Sequence, residues 1–215
     1  MVAGNSPEDL VAYNQRAFES LRRAIAFSKD KFSLVLVSCN YGVLREQVLQ
    51  KLQGVFGDGS IQRVNLPVNA VSVYAAVHSE VNDEQLKALM ILGLESVEAI
   101  EELLSTINHI RDEFRKRHPF PMVFWLTDEV ERKLVKLAPD FTSWGATPIS
   151  FDVETEELRK FLQRRTDSLF ANILSMGNIS TDTPQINYPK GTLGQIWDYS
   201  SYELRCAILD LEERG

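Results

Sequence analysis

Apolar residues return along this chain in two alternating rhythms. Through Leu10, Tyr13, Ala17, Leu21, Ala24 and Ile25 they recur every three or four positions, the spacing of one helix face. From Phe32 to Cys39 they run almost unbroken, as a strand covered on both faces does. The helical rhythm resumes from Val43 to Phe56, with Leu44, Val48, Leu52 and Val55 on one side, and stops at the turn Gly57-Asp58-Gly59. Ser60 to Leu66 then predicts a short strand and Ser72 to Val81 a short helix. Leu86 to Leu94 predicts a third strand, and Val97 to Arg117 a long helix with Ile100, Leu103, Leu104, Ile107, Ile110 and Phe114 in phase.

The second half continues the alternation. His118-Pro119 ends the long helix, and Pro121 to Leu126 is a fourth buried strand. Asp128 to Leu137 is helical until Ala138-Pro139, Ala146 to Phe151 is a fifth strand, and Glu154 to Leu174 is a helix. At the start of the chain, Ser6-Pro7-Glu8-Asp9 has the form of a helix cap: a hydroxyl, a proline at the first helical position, then acids against the helix dipole.

Strands that alternate with helices imply parallel pairing through right-handed crossovers. The predicted fold class is therefore α/β, a three-layer sandwich with a mostly parallel five-stranded sheet over about Phe32 to Asp152, the first and last helices packed on it. Residues 1–175 form this domain. Residues 176–215 form an extension: a loop rich in Gly, Pro, Asn and Thr from Ser175 to Asp198, then a helix from Ser200 to Arg214 with Leu204, Ile208 and Leu211 apolar. The loop's Tyr188, Trp197 and Tyr199 read first as pins to its own domain and second as partner contacts.

Composition narrows the function classes. Hydrophobic residues make up 44% of the 215, enough for a sizeable core. The formal net charge of -7 opposes a general nucleic-acid or anionic-membrane surface, since both recruit basic patches. The two cysteines, Cys39 and Cys206, suggest neither a disulfide framework nor a zinc knuckle, so a reducing, cytoplasmic setting is expected. The first residues carry no basic and apolar signal pattern, and no apolar run approaches the length of a membrane span.

The junction Ser38-Cys39-Asn40-Tyr41-Gly42-Val43-Leu44-Arg45 lies where nucleotide-binding proteins hold phosphate. A phosphate loop of the form G-x-x-x-x-G-K-[ST] needs a wide glycine-rich turn, a lysine for the phosphate charge and a hydroxyl for magnesium. Here there is one glycine, no lysine and no hydroxyl at the helix start, and G-x-G-x-x-G is also missing. The plain reading is a tight turn with Asn40 as helix cap and Arg45 solvated. Asp128-Glu129 follows the fourth strand, where a magnesium acid would stand, but Asp128 with Glu131 also has capping-box spacing and the cap is preferred.

No cofactor and no metal are expected. His78, His109 and His118 share no metal-ligand spacing and read as surface or internally satisfied residues. Cys39 ends a strand and reads as buried; an enzyme using it as nucleophile would need a histidine close by.

Two stretches carry a resemblance: LRRAIAFSKDKFSLVLVSCNYGVLREQVLQKL and PMVFWLTDEVERKLVKLAPDFTSWGATPISFD, with APDFTSW the most specific piece. Over about Leu21 to Asp152 the chain resembles the N-terminal domain of bacterial, notably cyanobacterial, multidomain proteins. In these, a degenerate STAND-type P-loop-NTPase-like domain precedes helical repeats such as tetratricopeptide arrays. The resemblance implies a signalling or scaffolding role, with the NTPase fold kept and the enzyme lost.

Two functions follow as expectations. The first is a catalytically inactive, regulatory protein-interaction module. Its partner would be another protein or a downstream helical-repeat domain, with oligomerisation left open; its contacts would be the acidic helices, the segment Ile186 to Tyr199 and the last helix. The alternative is an atypical nucleotide or phospho-ligand site, with Asn40, Tyr41, Gly42, Arg45, Asp128 and Glu129 converging at the carboxyl ends of the first and fourth strands.

Overall fold

The computed structural model describes residues 7–81, 86–153, 155–160, 162–163 and 205–212. They fall into two compact units. One is Glu8–Asp152; the other includes the helical residues 155–160, 162–163 and 205–212. The cap expected at Ser6 and the aromatic segment Ile186 to Tyr199 lie outside the described residues. No described helix is long and apolar enough to cross a membrane.

The larger unit carries five strands: β1 Ser33–Ser38, β2 Ile61–Asn65, β3 Ala88–Leu92, β4 Pro121–Leu126 and β5 Ile149–Ser150. Its helices are α1 Pro7–Phe27, α2 Gly42–Phe56, α3 Val73–Glu80, α4 Ile100–Arg117, α5 Asp128–Leu137 and the single turn α6 Pro139–Thr142. All strand pairs are parallel, in the order β2-β3-β4-β1-β5. The sheet is thus wholly rather than mostly parallel.

Each face of the sheet has its own core, because successive strand residues point to opposite sides. Val35, Val37, Met90, Val123 and Trp125 pack beneath Ala17, Leu21 and Ile25 of α1 and Val48, Leu49 and Leu52 of α2. Leu34, Leu36, Leu89, Ile91, Met122 and Phe124 pack beneath α3, α4 and α5. This is the three-layer sandwich that the alternation implies.

The apolar stripe of α2 is shifted from expectation. Leu49 is buried, while Val55 is 53% exposed. At about 100° per residue, Leu52 falls between Val48 and Leu49 around the helix, and Leu44 and Val55 lie on the margin of that arc. Tyr13 of α1 is likewise exposed. Its neighbour Asn14 is the working residue: its Nδ2 donates to the Asp152 carbonyl (2.7 Å) and its Oδ1 accepts the Asp152 N–H (3.1 Å). One carboxamide thereby ties α1 to the chain leaving β5, an edge strand.

β3 stops at Leu92, short of the expected Leu94. Gly93 adopts φ 84° and starts a 3-10 turn at Leu94–Ser96. An added Cβ there would meet the backbone oxygen of Leu66 at 3.0 Å, so both conformation and space demand glycine.

Candidate functional site

The chain leaves β1 through α2 toward β2 at one edge of the sheet, and leaves β4 through α5 toward β5 at the other. Adjacent strands β1 and β4 therefore send their connections in opposite directions and onto opposite faces. Such a divergence marks a topological switch point, the place at whose carboxyl ends open α/β sheets bind ligands. The turn after β1, Cys39 to Tyr41, and the start of α5 meet at this place.

Their side chains bond one another. The Ser38 hydroxyl donates to Oδ1 of Asp128 at 2.9 Å, and Asn40 Nδ2 donates to Oδ2 at 2.8 Å. The Asp128 backbone N–H in turn donates to Asn40 Oδ1 at 3.0 Å. Both oxygens of the carboxylate are engaged, and Asn40 uses both ends of its amide. Ser38 is buried, while Asp128 itself remains exposed. The two loops are thus joined at the carboxyl ends of β1 and β4 by charge-assisted hydrogen bonds.

This arrangement corrects both caps expected from sequence. Asn40 does not cap α2: the N-cap is Tyr41, which makes no side-chain capping bond. Nor does Asp128 cap α5: the N-cap is Thr127, whose hydroxyl accepts from the Val130 N–H. Thr127 is the better cap because it is extended, with φ -87° and ψ 161°, whereas Asp128 already lies inside the helix. Glu131 is consequently one residue too far along for a capping box. Glu129, in the first turn of α5, pairs with Lys133 one helical turn later.

Arg45 is also corrected. In place of a solvated side chain it forms an ion pair with Glu95 at 2.8 Å, the two side chains being 13% and 5% exposed. This pair ties the first turn of α2 to the segment after β3. The Gly93 turn delivers Glu95 to that position. Ser38 and Glu95, the two partners that sequence reasoning missed, come from elements whose adjacency depends on strand order.

Cys39 is buried as expected. Its backbone N–H extends the ladder to the Leu126 carbonyl, and its Sγ donates to the Tyr41 carbonyl at 3.4 Å. The histidines lie on α3 and at or beyond the middle of α4. His118 departs from the expected surface or satisfied role: it is 6% exposed, and its Nε2 is buried with no hydrogen-bond partner. No group of three or more metal-ligating side chains occurs among the described residues.

The hydrogen bonds to Asp128 should be measurable. Asp128→Ala removes the acceptor of both Ser38 and Asn40, leaving the buried Ser38 hydroxyl without one. The expected cost is about 1–2 kcal/mol by denaturant unfolding, kept low by the exposure of Asp128. A double-mutant cycle with Asn40→Ala should return a coupling on the order of 0.5 kcal/mol or more.

The fold and the bonding at the switch point together define the class: an open, all-parallel α/β domain in which the carboxyl ends of β1 and β4 are bridged by its own side chains. No protein-family model matches the chain, and no curated protein matches it.

Proposed function

We propose that this chain is a catalytically inactive NTPase-like domain that serves as a regulatory or signalling protein-interaction module of a larger protein. The observation that carries this reading is the inward bonding of the polar side chains at the switch point. Ser38, Asn40 and Asp128 engage one another, and Glu95 holds the guanidinium of Arg45. The residues that begin α2 are Gly42, Val43 and Leu44, which supply neither a lysine nor a hydroxyl. Val43 is 67% exposed, and Val71, between β2 and α3, is 78% exposed. Apolar side chains at a carboxyl edge favour contact with a protein, or a downstream repeat domain, over a polyphosphate.

A second reading is supported by the convergence of Asn40 and Asp128 at the switch point: an atypical nucleotide or phospho-ligand site. Thermal unfolding with and without millimolar Mg-ATP and Mg-GTP separates the two. A ligand at a thousandfold excess over its dissociation constant would stabilise the fold by about 4 kcal/mol. The module reading expects no shift with either nucleotide. A dose-dependent rise that disappears in Asp128→Ala would replace it with the second reading.

A further inference from the structure

At the opposite, amino-terminal end of the sheet, His118 closes α4 and leads into β4. Its ring lies 5.5 Å from that of Phe120, 6.1 Å from Tyr74 of α3 and 6.4 Å from Phe114 of α4, centroid to centroid. Tyr74 in turn stacks on His78, its rings parallel within 10° and 6.1 Å apart, and meets Phe114 edge-on at 5.5 Å. Short α3 is thus held to α4 and β4 by an aromatic cluster with an imidazole in its interior, in addition to Val73 and Val77.

We propose that this cluster is an acid-sensitive seam, at which protonation of His118 loosens α3 from α4 while the central sheet stays folded. Among the described residues, no acid acts on the charge of the ring. Its Nε2 is buried without an acceptor. Among the described residues, the ionisable groups that touch it or act on it are the phenol of Tyr74 and the imidazole of His78 from α3, and Arg117 from its own helix. None of these offers a negative charge at neutral pH, and Phe114 and Phe120 offer only ring faces. Burial first, then His78 and Arg117, hold the His118 imidazole below its ordinary range.

The sign follows from proton linkage. The opened state takes up a proton near the ordinary histidine value of 6.5, while the closed state resists it to lower pH. Closure is therefore complete above that value. It weakens by up to about tenfold for each pH unit below it, until the closed state also protonates. An α3 that loosens would bare the Tyr74, Phe114 and Phe120 rings, so acidification would change the surface available for contacts.

Two measurements test this on the whole chain. In an NMR titration of the imidazoles, His118 should titrate below the ordinary histidine value of 6.5; a value at or above it overturns the seam. Hydrogen exchange, corrected for intrinsic rates, should show protection of Val73–Glu80 falling about tenfold from pH 7 to pH 5.5 relative to β1 and β4. His118→Phe should remove that dependence, and His78→Gln should leave most of it. Equal loss of protection in α3 and the central strands overturns the local device. So does a pH dependence that persists in His118→Phe. The wild-type titration decides the matter if that variant fails to fold.

Discussion

Glu95→Ala is expected to lower the unfolding free energy by about 2–4 kcal/mol, although Glu95 lies in a three-residue turn and belongs to no regular core position. The reason is the company it keeps. Its carboxylate is 5% exposed and lies 2.8 Å from the guanidinium of Arg45, itself 13% exposed. Deleting the acid removes the 2.8 Å partner of a cation that is largely out of water. Single deletions at such pairs cost more than the pair is worth, because the penalty is the desolvated charge left behind. Arg45→Ala should cost a comparable amount by taking the guanidinium away from a buried acid. The double variant Arg45→Met/Glu95→Leu should recover much of either loss. Denaturant unfolding of the four proteins completes the cycle. A cost within the roughly 0.5 kcal/mol scatter of surface substitutions would return Arg45 to the solvated role that its sequence context implies.

Gly93→Ala should be nearly as damaging, at about 2–3 kcal/mol. The residue sits at φ 84°, where a side chain is strained, and the added methyl would press on the Leu66 backbone oxygen at 3.0 Å. Neither the oxygen nor the segment carrying it, which leaves β2, can move freely, since the Leu66 N–H is bonded to the Leu92 carbonyl. The same variant displaces the turn that places Glu95. Its effect should therefore be less than additive with Glu95→Ala, because both changes act on one ion pair. By contrast Gly57 and Gly59, also at positive φ, have no atom within 4 Å of an added Cβ, so alanine there should cost only the backbone strain.

The two variants bear on function because Glu95 and the turn that places it follow β3 at the carboxyl edge of the sheet. Glu95→Ala removes one anchor of the guanidinium at the first turn of α2. Should the Glu95→Ala protein acquire a Mg-ATP-dependent rise in melting temperature that the wild type lacks, the inward bonding of this edge would be what keeps nucleotide out.

Much of the fold was legible along the chain. PMVFWL reads as a buried strand and is one residue for residue, because both its faces are covered and every side chain is buried. DEVERKLVKL reads as a helix with the same precision. The burial of Cys39 and the turn at Gly57 to Gly59 follow from equally local signals. The caps were less legible. Thr127, Asp128 and Asn40 are all good capping types, and only the backbone angle at each tells which one caps. Asn14 gave no signal at all, since its partner Asp152 lies 138 residues away.

What the sequence determined by itself was the succession of elements, the parallel sense of the sheet and the absence of a phosphate-loop pattern after β1. These depend on side-chain periodicity and on backbone preferences within a few residues. The tertiary structure alone decided which strand ends became neighbours. Strand order put β1 beside β4, and so Asn40 and Ser38 against Asp128; it also brought the turn after β3 within reach of Arg45. Hydrogen bonds and ion pairs act over a few ångströms whatever the separation along the chain, so these partners could be recognised only after the sheet had been assembled.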